Sequence, residues 1–331
     1  MGMLTNNISK IVLKRTLPRN LNDQDTALFQ KETFYESRQS FIDKRFFVFF
    51  NFNSFTAFNR HSFFKKNNLK TNNVPFKTLG FHRVRLCFDE YLFLDNWSLN
   101  YFHWFTDVIP KILYAIKKRS TVRILMPGWL YNRDYVYQSL SLIDGVVVEV
   151  FSKTALIINA KIVNRGYTSG NYDEGLIQQE RGVFFKMNAI KNEVPCKRIF
   201  VFRSVEAKRG ILNFEELAPV LKKYAITIID FSNYSWIEQY SLAVNADILI
   251  GVHGAGLTNM LFMKENSNIL ELRRKDDDHN NCYFSLAAAC KHKYWYQLCD
   301  VDDPSIETQQ NSFYVDVDVF ENNIAQILST V

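Results

Sequence analysis

One stretch, Asp247 to Met263, limits more than any other what this chain can fold into. It runs Asp-Ile-Leu-Ile-Gly-Val-His253-Gly254-Ala255-Gly256-Leu257-Thr258-Asn259 and continues apolar to Met263. The unbroken apolar run Ile248–Val252 predicts a strand buried on both faces, and the small residues after it predict a turn into a helix. At a strand-to-helix turn the free backbone N–H groups and the positive end of the helix dipole face outward, and glycines let a phosphate come close to them. A phosphate-bearing ligand is therefore expected along Gly254, Ala255, Gly256, Leu257, Thr258 and Asn259. The plainer alternative is a tight turn whose glycines supply only backbone freedom. His253 and Asn259 weigh against it, because a turn does not require them.

A parallel strand of this kind needs neighbours, and the 331-residue chain is long enough for two domains of about 150 residues each. An apolar content of 47% with 7 Pro and 12 Gly describes a folded chain rather than a disordered one. The 5 cysteines are scattered without any Cys-x-x-Cys pair, so neither a disulfide framework nor a structural zinc site is indicated, and a reducing compartment fits. No charged n-region leads into an apolar core, and no window approaches about 18 uncharged apolar residues, so neither a signal peptide nor a spanning helix is expected. The net charge of +6 is spread unevenly, basic from Lys10 to Arg85 and acidic from Asp276 to Asp318. The basic, Phe-rich stretch Arg45–Lys66 reads as a buried strand with an aromatic core segment, or else as a surface for an anionic membrane. The basic residues are too diluted for a nucleic-acid surface, and no nucleic-acid module is recognisable.

The first 70 residues give no topology beyond a strand at Phe46–Phe50. Further on, Phe105, Ile109, Ile112, Leu113 and Ile116 recur at helical spacing. On the same segment His103, Asp107 and Lys111 lie four apart and form a second, titratable stripe beside Trp104. Either this is an acid–base face or it is a surface ion pair. Pro110 offers two geometries: a kinked helix through it, or a helix that starts there with Thr106 or Asp107 at its cap. Strands at Val122–Met126, Val146–Phe151 and Ala155–Val163, with a helix at Asp134–Ile143, predict an α/β domain with a largely parallel sheet. The turn-rich Gly166–Gly175 is expected at the lip of a cleft, and the domain boundary between Asn188 and Pro195, dividing the chain into 1–190 and 191–331.

The second half alternates more regularly. Strands are expected at Arg198–Phe202, Ile226–Ile229, Ile248–Val252, Ile269–Leu272 and Tyr294–Leu298. Helices are expected from Asn213, from the Ser235–Glu238 capping box, over Asn281–Lys291 and over Val319–Leu328, which together make a doubly wound domain. Ligands of such sheets lie outside the carboxyl ends of the strands, where Arg203, His253 and Glu271 converge. Arg203, Lys208 and Arg209 suit a diphosphate, and Glu271 suits sugar hydroxyls.

These residues together carry a resemblance. The run Phe202-Arg203-Ser204, Lys208-Arg209, Glu238-Gln239, His253-Gly-Ala-Gly-Leu-Thr-Asn259 and Leu270-Glu271-Leu272, with Tyr101-Phe-His103-Trp104-Phe-Thr-Asp107-Val-Ile-Pro110 upstream, resembles the catalytic region of glycosyltransferase family 61 over roughly Asn100 to Tyr296. The resemblance implies a GT-B-like α/β architecture of two Rossmann-like domains with a cleft between them. It also implies an inverting transfer from a nucleotide-sugar, most commonly a UDP-sugar, with no metal or other cofactor. Bacterial members look like capsule, lipopolysaccharide or exopolysaccharide enzymes, and a chain without an anchor fits a cytoplasmic setting, peripheral to the inner face of the membrane, with a glycan or lipid-linked glycan as acceptor.

An inverting transfer needs a base for the acceptor hydroxyl and a stabiliser for the departing diphosphate. Arg203, Arg209 and the Gly254–Leu257 turn are expected in the second role, with His253 on a phosphate or the transferred sugar. Asp107 is expected as the base with His103 orienting it, or His103 as the base itself, with Trp104 and Lys111 on the acceptor side. A metal-dependent alternative would use Asp276-Asp277-Asp278 or Asp316-Val317-Asp318, which read more simply as a solvated loop and an alternating strand. No Gly-x-Ser-x-Gly turn is present to support an esterase. A non-catalytic nucleotide- or sugar-binding subunit of a polysaccharide assembly complex is the alternative from another class.

Overall fold

The computed structural model describes residues 10–12, 15–29, 34–36, 40–51, 54–58, 84–92, 94, 96–151, 154–164, 170–187, 196–203, 209–275 and 281–330, with the backbone alone for 10–12, 34–36, 40–51, 54–58, 84–85, 96–97, 154–156, 158–160, 162, 164 and 309. Two compact units result. One holds Met1–Lys10 and Glu36–Tyr167, the other Ile11–Tyr35 and Thr168–Val331.

The first unit is built on a six-stranded sheet. In chain order its strands are β1 (Ser40–Asn51), β2 (Ser54–Phe58), β3 (Val84–Leu92), β4 (Val122–Pro127), β5 (Val146–Phe151) and β6 (Thr154–Asn164). Their order in the sheet is β2-β1-β6-β3-β4-β5. β6, β3, β4 and β5 run parallel, as expected, while β1 is antiparallel to both β2 and β6 and extends the sheet as a hairpin. The strand expected at Phe46–Phe50 falls inside β1, and residues 59–66 of the Phe-rich stretch lie outside the described residues.

The α-helix over the titratable stripe starts one residue before Pro110, close to the second form expected, but it follows a helical π-turn instead of a side-chain cap at Thr106 or Asp107. An α-turn at Tyr101–His103 passes through a π-turn at Trp104–Val108 into α1 (Ile109–Arg119), and the Ile109 N–H bonds the Trp104 carbonyl five residues back. Proline at 110 can give no N–H to the carbonyl four residues earlier and would press its ring on it; the wide turn takes the chain off the α register before the ring enters. Trp104, Phe105, Ile109 and Ile112 are fully buried with Ile124 and Met126 of β4 and Val136 of α2 (Asp134–Ser141).

The second unit has the doubly wound pattern. Its strands are β7 (Arg198–Val201), β8 (Thr227–Ile229), β9 (Ile248–Val252), β10 (Asn268–Arg274), β11 (Lys293–Val301) and β12 (Phe313–Tyr314). They are ordered β8-β7-β9-β10-β11-β12, all parallel except β12. Its helices are α3 (Glu174–Phe184), α4 (Phe214–Lys223), α5 (Trp236–Asn245), α6 (Cys282–Ala289) and α7 (Val317–Ser329). Ile248, Ile250, Val252, Leu270, Leu272 and Trp295 form one core with Leu217 and Leu221 of α4 and Phe320, Ile324 and Ile327 of α7. The capping box at Ser235 and Glu238 opens α5 as expected.

Four features depart from the sequence reading. The segment after β9 winds as a 3-10 helix, Ala255–Phe262, rather than an α-helix. Asp316 caps α7 by accepting from the Val319 N–H, with Asp318 in the first turn, so this pair is not an alternating strand. The division between the units falls after Tyr167 instead of near residue 190, because α3 bonds to the second unit: Gln178 donates to the Ala289 carbonyl, and Tyr240 donates to that of Phe184. Residues 11–35 also join the second unit, where Phe29 is buried against Phe284, Tyr294 and Tyr296 and Asn20 bonds Tyr296 and Asn323. Apart from α1 and its π-turn, no helix of the described residues is broken in this way, and none of them is long and apolar enough to cross a membrane.

Candidate functional site

In the second unit the chain leaves β7 to build β8 on one side, then returns to place β9 on the other. The carboxyl ends of β7 and β9 thus flank a topological switch point, where open parallel sheets leave a crevice for ligands. Phe202 and Arg203 leave β7 there, and His253 and Gly254 leave β9.

Glycine at 256 is set by close approach. A Cβ there would lie 2.5 Å from Val201 Cγ1, so only glycine lets the turn lie down on β7. At Gly254 two cations lie against the turn: a Cβ would meet Arg209 Nη1 at 3.4 Å and Arg203 Cζ at 3.7 Å, ordinary contact distances. Arg209 has a left-handed backbone (φ 73°), which costs energy for a non-glycine residue, and its Nη1 donates to the His253 carbonyl at 3.2 Å. Its Nε is buried with no hydrogen-bond partner among the described residues. Burial, and then repulsion from Arg203, lower the Arg209 pKa from its ordinary value. Two half-buried guanidiniums that repel each other across a glycine backbone, one with a donor unmet, form a site suited to an anion.

Behind this mouth lies a buried polar row. His253 Nδ1 is 2.5 Å from Glu271 Oε1, and the Tyr294 hydroxyl donates to Glu271 Oε2 at 2.5 Å. The Tyr283 ring meets the His253 imidazole edge-on at 4.9 Å. Burial opposes ionisation of Glu271, yet the His253 hydrogen bond and the nearby Arg273 charge outweigh it and hold the carboxyl below its usual range.

The first unit carries the other pair. His103 Nδ1 lies 2.6 Å from Asp107 Oδ2, joined across the π-turn; Asp107 is 1% exposed, whereas the His103 side chain keeps 14%. A buried carboxylate against one imidazole nitrogen fixes the ring, so His103 is the outward member of the pair.

Other expected site residues are placed differently. Trp104 is fully buried and donates its indole N–H to Ser139, and Lys111 is buried in α1, so neither presents an acceptor-side surface in this unit. Leu257, Thr258 and Asn259 are fully buried, with Asn259 bonded to Gln239, and Gly254 is buried as well, so the part of the turn left partly exposed is Ala255 and Gly256. Glu271 is 1% exposed with both oxygens engaged, which removes it from contact with sugar hydroxyls. Lys208 and Asp276–Asp278 lie outside the described residues. Two residues escaped the sequence reading. Arg181 of α3 donates to the carbonyls of Leu261 and Met263 at the end of the 3-10 helix, and Tyr294 supports Glu271. Neither has a local signal, since their partners are 80 and 23 residues away.

A family model for glycosyltransferase 61 matches residues 101–270, which include both His103–Asp107 and the His253 turn. Among curated proteins, the chain is similar to EGF domain-specific O-linked N-acetylglucosamine transferases. It is 36% identical to the Mus musculus protein over 172 residues, 48% of this chain and 32% of that protein. The Drosophila melanogaster protein is 36% identical over 94 residues, 27% of this chain and 18% of that protein. The Xenopus laevis protein is 34% identical over 100 residues, 29% of this chain and 18% of that protein. The chain thus matches less than a third of the length of these relatives.

Proposed function

The chain belongs to glycosyltransferase family 61, and from that premise we propose that it transfers a sugar, with inversion, from a UDP-sugar to a hydroxyl of a glycan acceptor. The observation that carries this reading is the pair Arg203 and Arg209 closing over Gly254 at the switch point, with Arg209 Nε unmet among the described residues. A nucleoside diphosphate is an anion suited to two such neighbouring guanidiniums. In the transfer, the acceptor oxygen attacks the anomeric carbon as the bond to the diphosphate breaks, and the two arginines stabilise the charge that builds on the leaving phosphate without a metal. His103, oriented by Asp107, takes the acceptor proton.

A GT-B arrangement belongs to this reading and is supported by each unit having its own sheet with parallel strands. The names of the relatives favour N-acetylglucosamine as the first sugar to try. Synthesis of a capsular, lipopolysaccharide or exopolysaccharide glycan at the cytoplasmic face of a membrane is the setting proposed for the acceptor; its support is the family resemblance.

The test is thermal stability in EDTA against a panel of nucleoside diphosphates, followed by turnover of UDP-N-acetylglucosamine. UDP at 100 times its Kd should stabilise the protein by about 2.7 kcal/mol, and Arg203→Ala should abolish the shift. His103→Ala should then lower turnover by about 10²-fold or more without removing UDP binding. If no diphosphate shifts the melting temperature, the nucleotide site is wrong. If UDP binds but UDP-sugar is neither transferred nor hydrolysed, a non-catalytic binding subunit is the better description.

A further inference from the structure

Glu271 is too deeply buried to touch a ligand, yet it is a charge held by specific partners. At 1% exposure its Oε1 faces His253 Nδ1 and its Oε2 accepts from Tyr294. Arg273, two residues along the same strand and so on the same face, adds a positive charge nearby while donating to Asn281. An ionised carboxylate can only accept, so the hydrogen of the short contact sits on His253 Nδ1. The other ring nitrogen, Nε2, has no hydrogen bond among the described residues, and the ring keeps 11% exposure beside Gly254. The ring is further held by the Tyr283 edge and, through its own carbonyl, by Arg209.

At a pH where the imidazole is neutral, this tautomer presents a lone pair at Nε2. A lone pair repels phosphate oxygens but accepts from a hydroxyl, and donors for phosphate are already supplied by Arg203 and Arg209. We propose that Glu271 is a positioning residue for donor-sugar recognition: by accepting from Nδ1 it makes His253 Nε2 an acceptor for a hydroxyl of the sugar, leaving the diphosphate to the arginines. This rests on the nucleotide-sugar reading above and assigns a division of labour within that site. Glu271 and Tyr294 both lie beyond the segment matched by the family model.

The tautomer is read first in the unaltered protein, by long-range ¹H–¹⁵N spectra of histidine-labelled material at mildly alkaline pH, with His253→Ala identifying the signal. The expected pattern is a protonated Nδ1 and an unprotonated Nε2; the reverse tautomer overturns the proposal whatever the variants do. Calorimetric titration with UDP and with UDP-N-acetylglucosamine follows. Glu271→Met, which cannot accept from Nδ1, should weaken the nucleotide-sugar about tenfold, the worth of one buried hydrogen bond, and UDP less than about twofold. Glu271→Gln, whose amide oxygen can still accept from Nδ1, should restore most of the difference. Equal weakening of both ligands by Glu271→Met would mark a merely structural residue and overturn the proposal. Arg203→Ala separates the two levels: it should weaken both ligands, and if the unaltered protein binds neither, the nucleotide-sugar reading itself falls and takes this inference with it.

Discussion

Gly256 fixes the distance between the turn and β7, and it is the residue at which the site is least able to change. An alanine methyl would sit 2.5 Å from Val201 Cγ1, inside any tolerable contact, and Val201 is itself a buried strand residue with no room to retreat. Overpacking of this kind costs about 1–3 kcal/mol, and the turn must lift off β7 to relieve it. Gly256→Ala should therefore lower the melting temperature by several degrees and weaken UDP more than its stability loss explains, as measured by titration below the unfolding range. Gly254→Ala makes a useful contrast, because its methyl would meet the ends of two flexible arginines at 3.4 and 3.7 Å and the Val252 carbonyl oxygen at 3.6 Å, all ordinary contacts. The need for glycine at 256 was visible in the sequence only as a Gly-x-Gly pair; which of the two is constrained by packing and which by the arginines is decided by a neighbour, Val201, 55 residues earlier in the chain.

The element that carries this turn is the 3-10 helix Ala255–Phe262, and it is held from its far end. Arg181, 1% exposed in α3, donates to the carbonyls of Leu261 at 2.9 Å and Met263 at 2.9 Å, while His292 bonds the Met260 carbonyl at 2.9 Å. Burial and the Arg181 charge hold the His292 pKa down at about 3, so its ring is neutral and donates from Nε2. These donors satisfy carbonyls that a helix end leaves open. Replacing Arg181 by Met keeps much of the volume but strands those carbonyls. The expected cost is roughly 2–4 kcal/mol, with faster amide exchange along 255–263 before the rest of the unit. Unchanged exchange there would show that the apolar packing of Leu257, Met260 and Phe262 suffices. The apolar run after the glycines, the capping box of α5 and the alternation of strands were all legible in the sequence, because periodicity and caps are local. The winding of 255–262 was not, since the carbonyls at its end are met by a cation supplied by α3. The π-turn before Pro110 was half legible: the proline announced a disturbance, but a kink, a helix start and a widened turn all relieve the same clash.

At the scale of the whole chain, the second unit is assembled from two separated stretches. Residues 11–35 belong to it although the first unit follows them in sequence, so a division by sequence order alone could not be right. The attachment is specific: Phe29 is 5% exposed among Phe284, Tyr294 and Tyr296, the Arg273 guanidinium lies 5.4 Å from its ring centroid, Tyr296 donates to Asp25 at 2.5 Å, and Asn281 donates to the Leu28 carbonyl at 2.8 Å. Nothing local in Arg15–Phe29 signals this, because its only regular pieces are a 3-10 turn, Asp23–Asp25, and one helical turn, Thr26–Phe29. Phe29 packs against Tyr294, the tyrosine that donates to Glu271, so this strap borders the polar row behind His253 as well as the aromatic cluster. Truncating a buried phenylalanine costs about 3–5 kcal/mol, and the unit that pays reveals where the residue belongs. In Phe29→Ala, hydrogen exchange should accelerate across β11 and α6 and into β10, while α1 and β4 of the first unit keep the protection of the unaltered protein. Equal acceleration in both units would mean that they unfold as one body and that the strap's allegiance cannot be assigned to the second. Acceleration confined to the second unit would show that its stability, and with it the placement of Glu271 behind His253, depends on a segment reached only from the opposite end of the sequence.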